Sequence, residues 1–307
     1  MQTTLKGPIT FRGMGLHTGQ PARVTVHPAS AEYGIWFRRL DVTERDPLVP
    51  AKWDAAERTA LCTRLVNAAG TSVSTVEHLM AALAGCGVHN ALVELDGPEI
   101  PILDGSSAPF VREILARGVR RLLEPVRALQ VLKQVEVREG AAMARLEPAR
   151  GLRIDFTIEF DEAVIGRQNL SLDMANGAFL RELCDSRTFC RLRDVEAMRA
   201  SGRALGGTLA NAVVVDGGRV LTPGGLRHPD EPVRHKMLDA LGDLALAGAP
   251  LLACYTGHRA GHALTNQLLR ALFADPEATR FVTCDAALAN RLPGAGLGRS
   301  DIAGLAA

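Results

Sequence analysis

Ser74-Thr75-Val76-Glu77-His78-Leu79-Met80-Ala81-Ala82-Leu83-Ala84-Gly85, with Ala91-Leu92-Val93-Glu94-Leu95 after it, is the stretch that decides the fold. Ser74 and Glu77 have the S-x-x-E spacing of a capping box, and the Leu- and Ala-rich run behind them predicts a helix that stops at Gly85 or Gly87. Ala91 to Leu95, ended by Asp96-Gly97-Pro98, predicts a buried strand. The polar turn Asp104-Gly105-Ser106-Ser107 then caps a second helix, Pro109 to Arg117, which Gly118 stops. Upstream, the alternation in Arg23-Val24-Thr25-Val26-His27 and the run Ile35-Trp36-Phe37 predict short strands. The order is therefore strands, helix, strand, helix.

The same order starts again near residue 126. Leu129 to Val137, Met143 to Leu146 and Leu152 to Phe160 predict strands, and Ala178 to Cys184 and Arg193 to Ala200 predict helices. Ala212-Val213-Val214-Val215 with Asp216-Gly217-Gly218 matches the strand and turn of Ala91 to Gly97. Helix Val233 to Leu246, strand Pro250 to Tyr255 and helix His262 to Phe273 complete the second half. The expectation is an α+β protein of two similar domains, residues 1–125 and 126–307, joined near Leu122 to Arg127. The repeat is one of pattern only.

Composition excludes several classes. The chain has 307 residues, 47% hydrophobic and 22% charged, ordinary for a globular protein and far from disorder. Its 35 basic and 34 acidic residues leave a formal charge of +1, so no global field attracts nucleic acid or an anionic membrane. An aromatic content of 4% argues against a stacking platform for single strands. Cys62, Cys86, Cys184, Cys190, Cys254 and Cys284 contain no C-x-x-C pair, which fits a reducing cytosol better than disulfides or a zinc ribbon. The start, MQTTLKGPIT, lacks the pattern of a signal peptide. The most apolar windows, Leu244 to Tyr255 and Val73 to Leu95, are respectively too short and too interrupted by Glu77, His78 and His89 to span a bilayer.

Chemistry concentrates in Arg234-His235-Lys236-Met237-Leu238-Asp239-Ala240-Leu241-Gly242-Asp243. Residues four apart on a helix share a face, so His235, Asp239 and Asp243 form one polar row beside an apolar stripe of Met237, Leu238, Leu241 and Leu244. A His and an Asp at i and i+4 can hold one divalent cation, although an isolated pair of this kind is ordinarily helix-surface decoration. A third ligand is needed. Of the eight histidines, His78 stands out on its apolar helix next to Glu77. His78, His235 and Asp239 would make a three-ligand site with an open position, and Glu77 a base that does not bind the metal, unless it is only the reciprocal member of the capping box. His262 opens a helix, where protonation is disfavoured, so a general acid there needs a carboxylate such as Asp243. His17, His27, His89, His228 and His258 read as structural or surface groups, and Gly206-Gly207 and Gly217-Gly218 as turns.

Several strings occur in order: Ser74 to Leu79, Pro98-Glu99-Ile100-Pro101-Ile102-Leu103-Asp104-Gly105-Ser106, Ser186-Arg187-Thr188-Phe189, Arg234 to Asp239 with Gly242-Asp243-Leu244, and Gly261-His262-Ala263-Leu264. Together, from about Thr4 to Phe273, they resemble the UDP-3-O-acyl-N-acetylglucosamine deacetylases, zinc amidases of lipid A biosynthesis. The resemblance implies a β-α-α-β sandwich with the active site between two domains. It implies Zn2+, or Fe2+ in the cell, on His78, His235 and Asp239, and Glu77 as general base. By the same resemblance His262 would be the protonated histidine, with Asp243 beside it, and Thr188 would help hold the oxyanion. Lys236 is a cation near the site, and Leu61 and Cys62 are its neighbours. Phe189 to Val215 is an inserted β-α-β unit with an apolar acyl passage, for which Leu192, Val195, Leu209 and Val214 are the lining candidates, with Phe160 an aromatic near the uracil. The substrate would be a UDP-linked acylated amino sugar, acted on by a cytoplasmic monomer, peripheral to the inner membrane, without a nucleic-acid partner.

The chain departs from that pattern in two places. Cys190 follows Ser-Arg-Thr-Phe where glycine is common, which narrows the mouth of the passage. The hairpin Glu139-Gly140-Ala141-Ala142 lacks a lysine that some members direct at the diphosphate, leaving Arg259 or Lys236 for that task. Other classes share parts of the site. Two His and a carboxylate also describe the Fe(II) triad of oxygenases, though Glu77 would have little to do there. A non-catalytic nucleotide-sugar or lipid binder would need a structural metal, and such sites are usually closed by four protein ligands.

Overall fold

The computed structural model describes residues 1–59 and 61–304. Its first half builds a sheet from β1 (Ile9–Met14), β2 (Pro21–Pro28), β3 (Ile35–Arg39) and β4 (Leu48–Pro50), then α1 (Glu77–Gly85), β5 (Ala91–Leu95) and α2 (Ala108–Arg117). The strand order is β1-β2-β5-β3-β4, with β5 antiparallel to β2 and parallel to β3. Alternation does what period 2 requires: Ala22, Val24 and Val26 of β2 are buried, while Arg23 is exposed.

The second half repeats this topology. It contains β6 (Arg127–Val131), β7 (Val135–Glu139), β8 (Ala142–Pro148), β9 (Leu152–Glu159) and β10 (Arg167–Asp173). An excursion follows through β11 (Phe189–Arg191), α3 (Leu192–Ala200), β12 (Val213–Asp216) and β13 (Arg219–Val220). The chain then returns with α4 (Glu231–Leu244), β14 (Leu251–His258), α5 (His262–Ala274) and β15 (Thr279–Thr283). β14 lies antiparallel to β8 and parallel to β9, with β7 and β10 outside them, as β2, β3, β1 and β4 surround β5. β6 and β15 are added to this second sheet.

Two expectations need correction here. The counterpart of Ala91 to Gly97 is β14, not Ala212 to Gly218. Val213–Asp216 instead pairs in parallel with β11 inside a separate three-stranded sheet, because a short apolar run followed by Asp-Gly carries no information about which sheet it joins. Leu129 to Val137 is likewise two strands, since Arg127–Val131 pairs with β15 and Val135–Glu139 turns into a hairpin with β8.

The halves meet helix to helix. α1 packs against α4, with α2 beside α1 and α5 beside α4, so the layers run sheet, helices, helices, sheet. α1 is buried at nearly every position, as a helix between two sheets must be. A tight approach occurs at Gly242, where an added Cβ would lie 2.1 Å from the Glu77 carbonyl oxygen. Gly242→Ala is therefore expected to lower unfolding stability in urea by about 1–3 kcal/mol or more, and a loss under half of the lower figure would show that the helices can part freely. No helix among the described residues is long and apolar enough to cross a membrane, and all six cysteines are free.

Candidate functional site

α1 starts two residues after a left-handed Thr75 at φ 59°, a conformation that a β-branched residue adopts only under constraint. Ser74 is paired with Arg64 in a small strand ladder, and neither it nor any other side chain caps the helix. The capping box is thus corrected: the ladder takes Ser74 away, and the turn at Thr75 frees the Glu77 carboxylate. Its Oε2 accepts from the Thr63 backbone N–H at 3.0 Å, and its Oε1 stands 3.8 Å from His262 Nε2. Glu99 holds the turn by accepting from the Thr75 hydroxyl and from the backbone N–H groups of His17 and Thr18.

His78 on α1 faces His235 and Asp239 on α4. Asp239 Oδ1 lies 3.3 Å from His235 Nε2 and 3.6 Å from His78 Nε2. Tetrahedral donors at zinc–nitrogen distances of ~2.0–2.1 Å stand roughly 3.3 Å apart, so the spacing suits one small cation. Each of the three side chains is buried, and one ligand atom from each lies within 4.8 Å of the others. Asp239 Oδ1 and His78 Nδ1 have no hydrogen-bond partner among the described residues. A buried carboxylate oxygen without a partner is costly, and a cation among these donors would remove that cost. The residues fit a metal.

The surroundings tune the donors. His235 Nδ1 faces the Ser186 carbonyl at 3.0 Å, which places its proton there and leaves Nε2 free. Burial pushes the His235 imidazole down to about 4, against the opposing pull of Asp239. Burial would raise Asp239, but His235, Lys236 and His262 hold it well below the usual carboxylate range, with the Lys236 ammonium at 2.7 Å. Burial raises Glu77 toward the protonated form, against His262 and His78. His262 goes the other way: burial opposes its charge, but Asp243, Asp239 and Glu77 lift it to about 9. Its Nδ1 is 2.9 Å from Asp243 Oδ2, and Asp243 Oδ1 accepts from the Thr63 hydroxyl.

The start of α4 is anchored by Glu231, fully buried, which receives the Arg187 guanidinium at 2.9 Å and the Arg187 and Arg227 backbone N–H groups. This pair ties α4 to the Ser186–Phe189 segment. Burial would raise Glu231, but its bonds to Arg187 and Arg227 lower it overall. A depressed folded pKa gives stability that is full above the ordinary carboxylate value and lost as pH falls through the folded value. Glu231→Gln is expected to cost about 3–5 kcal/mol near neutrality by stranding Arg187, with the gap to wild type closing in acid. A gap in urea midpoint that stays constant down the carboxylate range would show that charge is not the cause.

The remaining candidates fall into groups. Cys62 is buried beside Glu77 and its thiol is pushed up to about 12 by burial and then by Glu77, so it is no nucleophile. Leu61 is exposed. The Thr188 hydroxyl has no hydrogen bond among the described residues, and its backbone N–H donates to the Gly105 carbonyl at 2.8 Å. Phe189 stacks edge-on against both His235 and Phe160. Phe160, Lys236 and Arg259 share a cleft of about 250 Å³, although Arg259 also faces Glu159 at 3.7 Å. Leu192 and Val195 are half-buried, Leu209 is exposed, and Val214 is buried in the small sheet. Cys190 pairs with Val214 in register.

Thr63 carries no local pattern that marks it as a neighbour of the site, and Ser186 and Glu99 stand out in the sequence only as members of longer strings. His17, read as structural or surface, is no tether: both its ring nitrogens are buried without partners among the described residues, and burial lowers its pKa. Its Gly15-Leu16-His17-Thr18-Gly19 setting offered the one available signal, a loop built to approach something closely.

A profile of the UDP-3-O-acyl N-acetylglycosamine deacetylases (LpxC) matches residues 2–274. A protein of Phenylobacterium zucineum named UDP-3-O-acyl-N-acetylglucosamine deacetylase is 50% identical over 282 residues, covering 92% of this chain and 96% of its own. One of the same name from an Anaeromyxobacter species is 47% identical over 294 residues, 95% of each chain, and one from Shewanella frigidimarina is 43% identical over 286 residues, 92% of this chain and 93% of its own. With nearly its whole length matched and a buried His-His-Asp cluster in place, this chain belongs to the UDP-3-O-acyl N-acetylglycosamine deacetylase family.

Proposed function

We propose that the chain hydrolyses the N-acetyl group of UDP-3-O-acyl-N-acetylglucosamine, giving acetate and UDP-3-O-acyl-glucosamine, a committed step of lipid A biosynthesis. The strongest support is the buried donor cluster of His78, His235 and Asp239 with Glu77 and His262 poised beside it. Those three residues would hold Zn2+, for which two imidazoles and a carboxylate are suited, and Fe2+ suits the same donors. Such an ion, when bound, supplies Lewis acidity toward the amide carbonyl and brings the pKa of water to ~7.

Glu77 takes the proton of the attacking water at the oxygen that faces His262. Burial makes its carboxylate a better proton acceptor than one in solvent, and the Thr63 N–H fixes its other oxygen. His262, charged and anchored by Asp243, stabilises the developing oxyanion together with the Thr188 hydroxyl. The leaving glucosamine nitrogen receives a proton from His262 or from Glu77. Lys236 and Arg259 take the diphosphate, Phe160 the uracil, and Leu61 and Cys62 border the sugar. The acyl chain lies along Phe189, Leu192, Val195, Leu209 and Val214. We read the chain as a cytoplasmic monomer, peripheral to the inner membrane, of two domains, 1–125 and 126–307, the last three residues lying outside the described ones.

Acetate release from the UDP-acyl-GlcNAc substrate, with metal content measured on the same sample, tests this. One zinc or iron per chain is expected, with activity lost to a chelator and restored by adding Zn2+. Acetate release indifferent to chelation would remove the metal from the mechanism, and oxygen consumption with an oxoacid but no acetate would make the protein an oxygenase.

A further inference from the structure

A second cavity, of about 660 Å³, lies between the two halves, within the ~300–1,000 Å³ range of small-molecule sites. It is reached from the later turns of α1 and α4, through Met80, Leu83, Leu241 and Leu244, whereas the cation donors His78, His235 and Asp239 lie before them on the same helices. None of the three donors lines the cavity. None of the acyl-passage or uridine candidates lines this cavity.

Its wall is apolar but not uniformly so. Polar lining groups from the first half are mutually engaged: Glu32 accepts from Gln2, the Asn90 amide donates to Gln2, and His89 Nδ1 meets the Thr3 hydroxyl. Two cations remain at the rim, Lys52 from the first half and Arg127 from the second, and neither has a carboxylate partner among the described residues. Both are exposed, and the Arg127 guanidinium lies 4.7 Å over the ring of Phe281, itself 51% exposed. An apolar lining beside two helices, with two cations against the single carboxylate of Glu32 at the mouth, leaves a net positive charge there and complements a ligand with one apolar chain and one anionic head.

We propose that this cavity is a binding site for a single-chain anionic amphiphile of the fatty-acid type. The chain lies in the groove over α1 and α4, against Trp36, Ala84 and Ala245, and the head stays at the rim with Lys52 and Arg127. The ligand therefore bears directly on the two helices that carry the cation donors.

Trp36 lines the cavity and reports on it, while Trp53 stacks on Phe273 at 4.9 Å and is removable as Trp53→Phe. Full-length, metal-loaded protein is titrated with ω-bromododecanoate below its micelle concentration, and quenching of Trp36 emission is followed. As a check independent of the Trp53 replacement, the same signal is taken as the part of wild-type quenching that disappears in Trp36→Phe. The expected result is saturable quenching, abolished by Ala84→Phe, which fills the cavity from α1, and weakened roughly tenfold in Kd by Lys52→Glu with Arg127→Glu. Dodecyltrimethylammonium with the same ω-bromine should quench far less. Absence of saturable quenching, quenching that survives Ala84→Phe, or equal quenching by the cationic probe would each overturn the proposal.

Discussion

Glu77→Ala is expected to lower kcat for acetate release by roughly 10²–10⁴-fold, the usual contribution of a positioned general base, while the metal content of the purified variant stays that of wild type. The separation of the two effects follows from geometry. Glu77 shares α1 with His78, yet its carboxylate is turned to the Thr63 N–H and to His262, not into the triad of His78, His235 and Asp239. Removing it leaves the cation donors in place and takes away the proton acceptor. Glu77→Gln, which keeps the Thr63 hydrogen bond, should be nearly as inactive, since the proton acceptor rather than the shape is what is lost. Loss of metal together with activity in either variant would make Glu77 a ligand and the base a different group.

Asp239→Asn should have the largest effect on metal. Altering the outer partners of a metal ligand typically costs 10–100-fold in affinity, so replacing a ligand itself by its neutral isostere should cost more than ~100-fold. The substitution also strands positive charge, because Asp239 faces His262 at 3.7 Å as well as Lys236. Competition with a fluorescent zinc chelator gives the affinity, and acetate release at saturating Zn2+ separates weakened binding from impaired chemistry. Unchanged affinity and unchanged turnover would take Asp239 out of the site.

Much of the candidate site is local in origin and legible for that reason. His235, Asp239 and Asp243 follow each other at helical spacing, so any helix through Arg234 to Asp243 puts them on one face. The apolar stripe beside them signals burial of that face. Glu77 and His78 were legible as residues but not as geometry. The capping box was a sound local expectation that failed because Ser74 is claimed by a ladder with Arg64, a partner ten positions away that helix-start rules do not consider. Thr63 is not legible, because an isolated threonine in Leu61-Cys62-Thr63 has no pattern and its bond to Asp243 spans 180 positions. His17 is hidden for the same reason, its loop being held by Glu99, 82 positions away.

By itself the sequence determined the main helices and several strands of both halves, the helical face that carries His235 and Asp239, and, through its strings in order, the family. These depend on periodicity and on residue identity, which are properties of neighbours along the chain. Only the tertiary structure decided that β14 rather than Val213–Asp216 is the counterpart of β5, that Gly242 lets α4 touch α1 at Glu77, and that a donor cluster and a separately lined apolar cavity both form where the halves meet. Those outcomes depend on which surfaces pack together across the two halves. Packing is set by shape and buried area summed over residues far apart in sequence, so no local pattern records it.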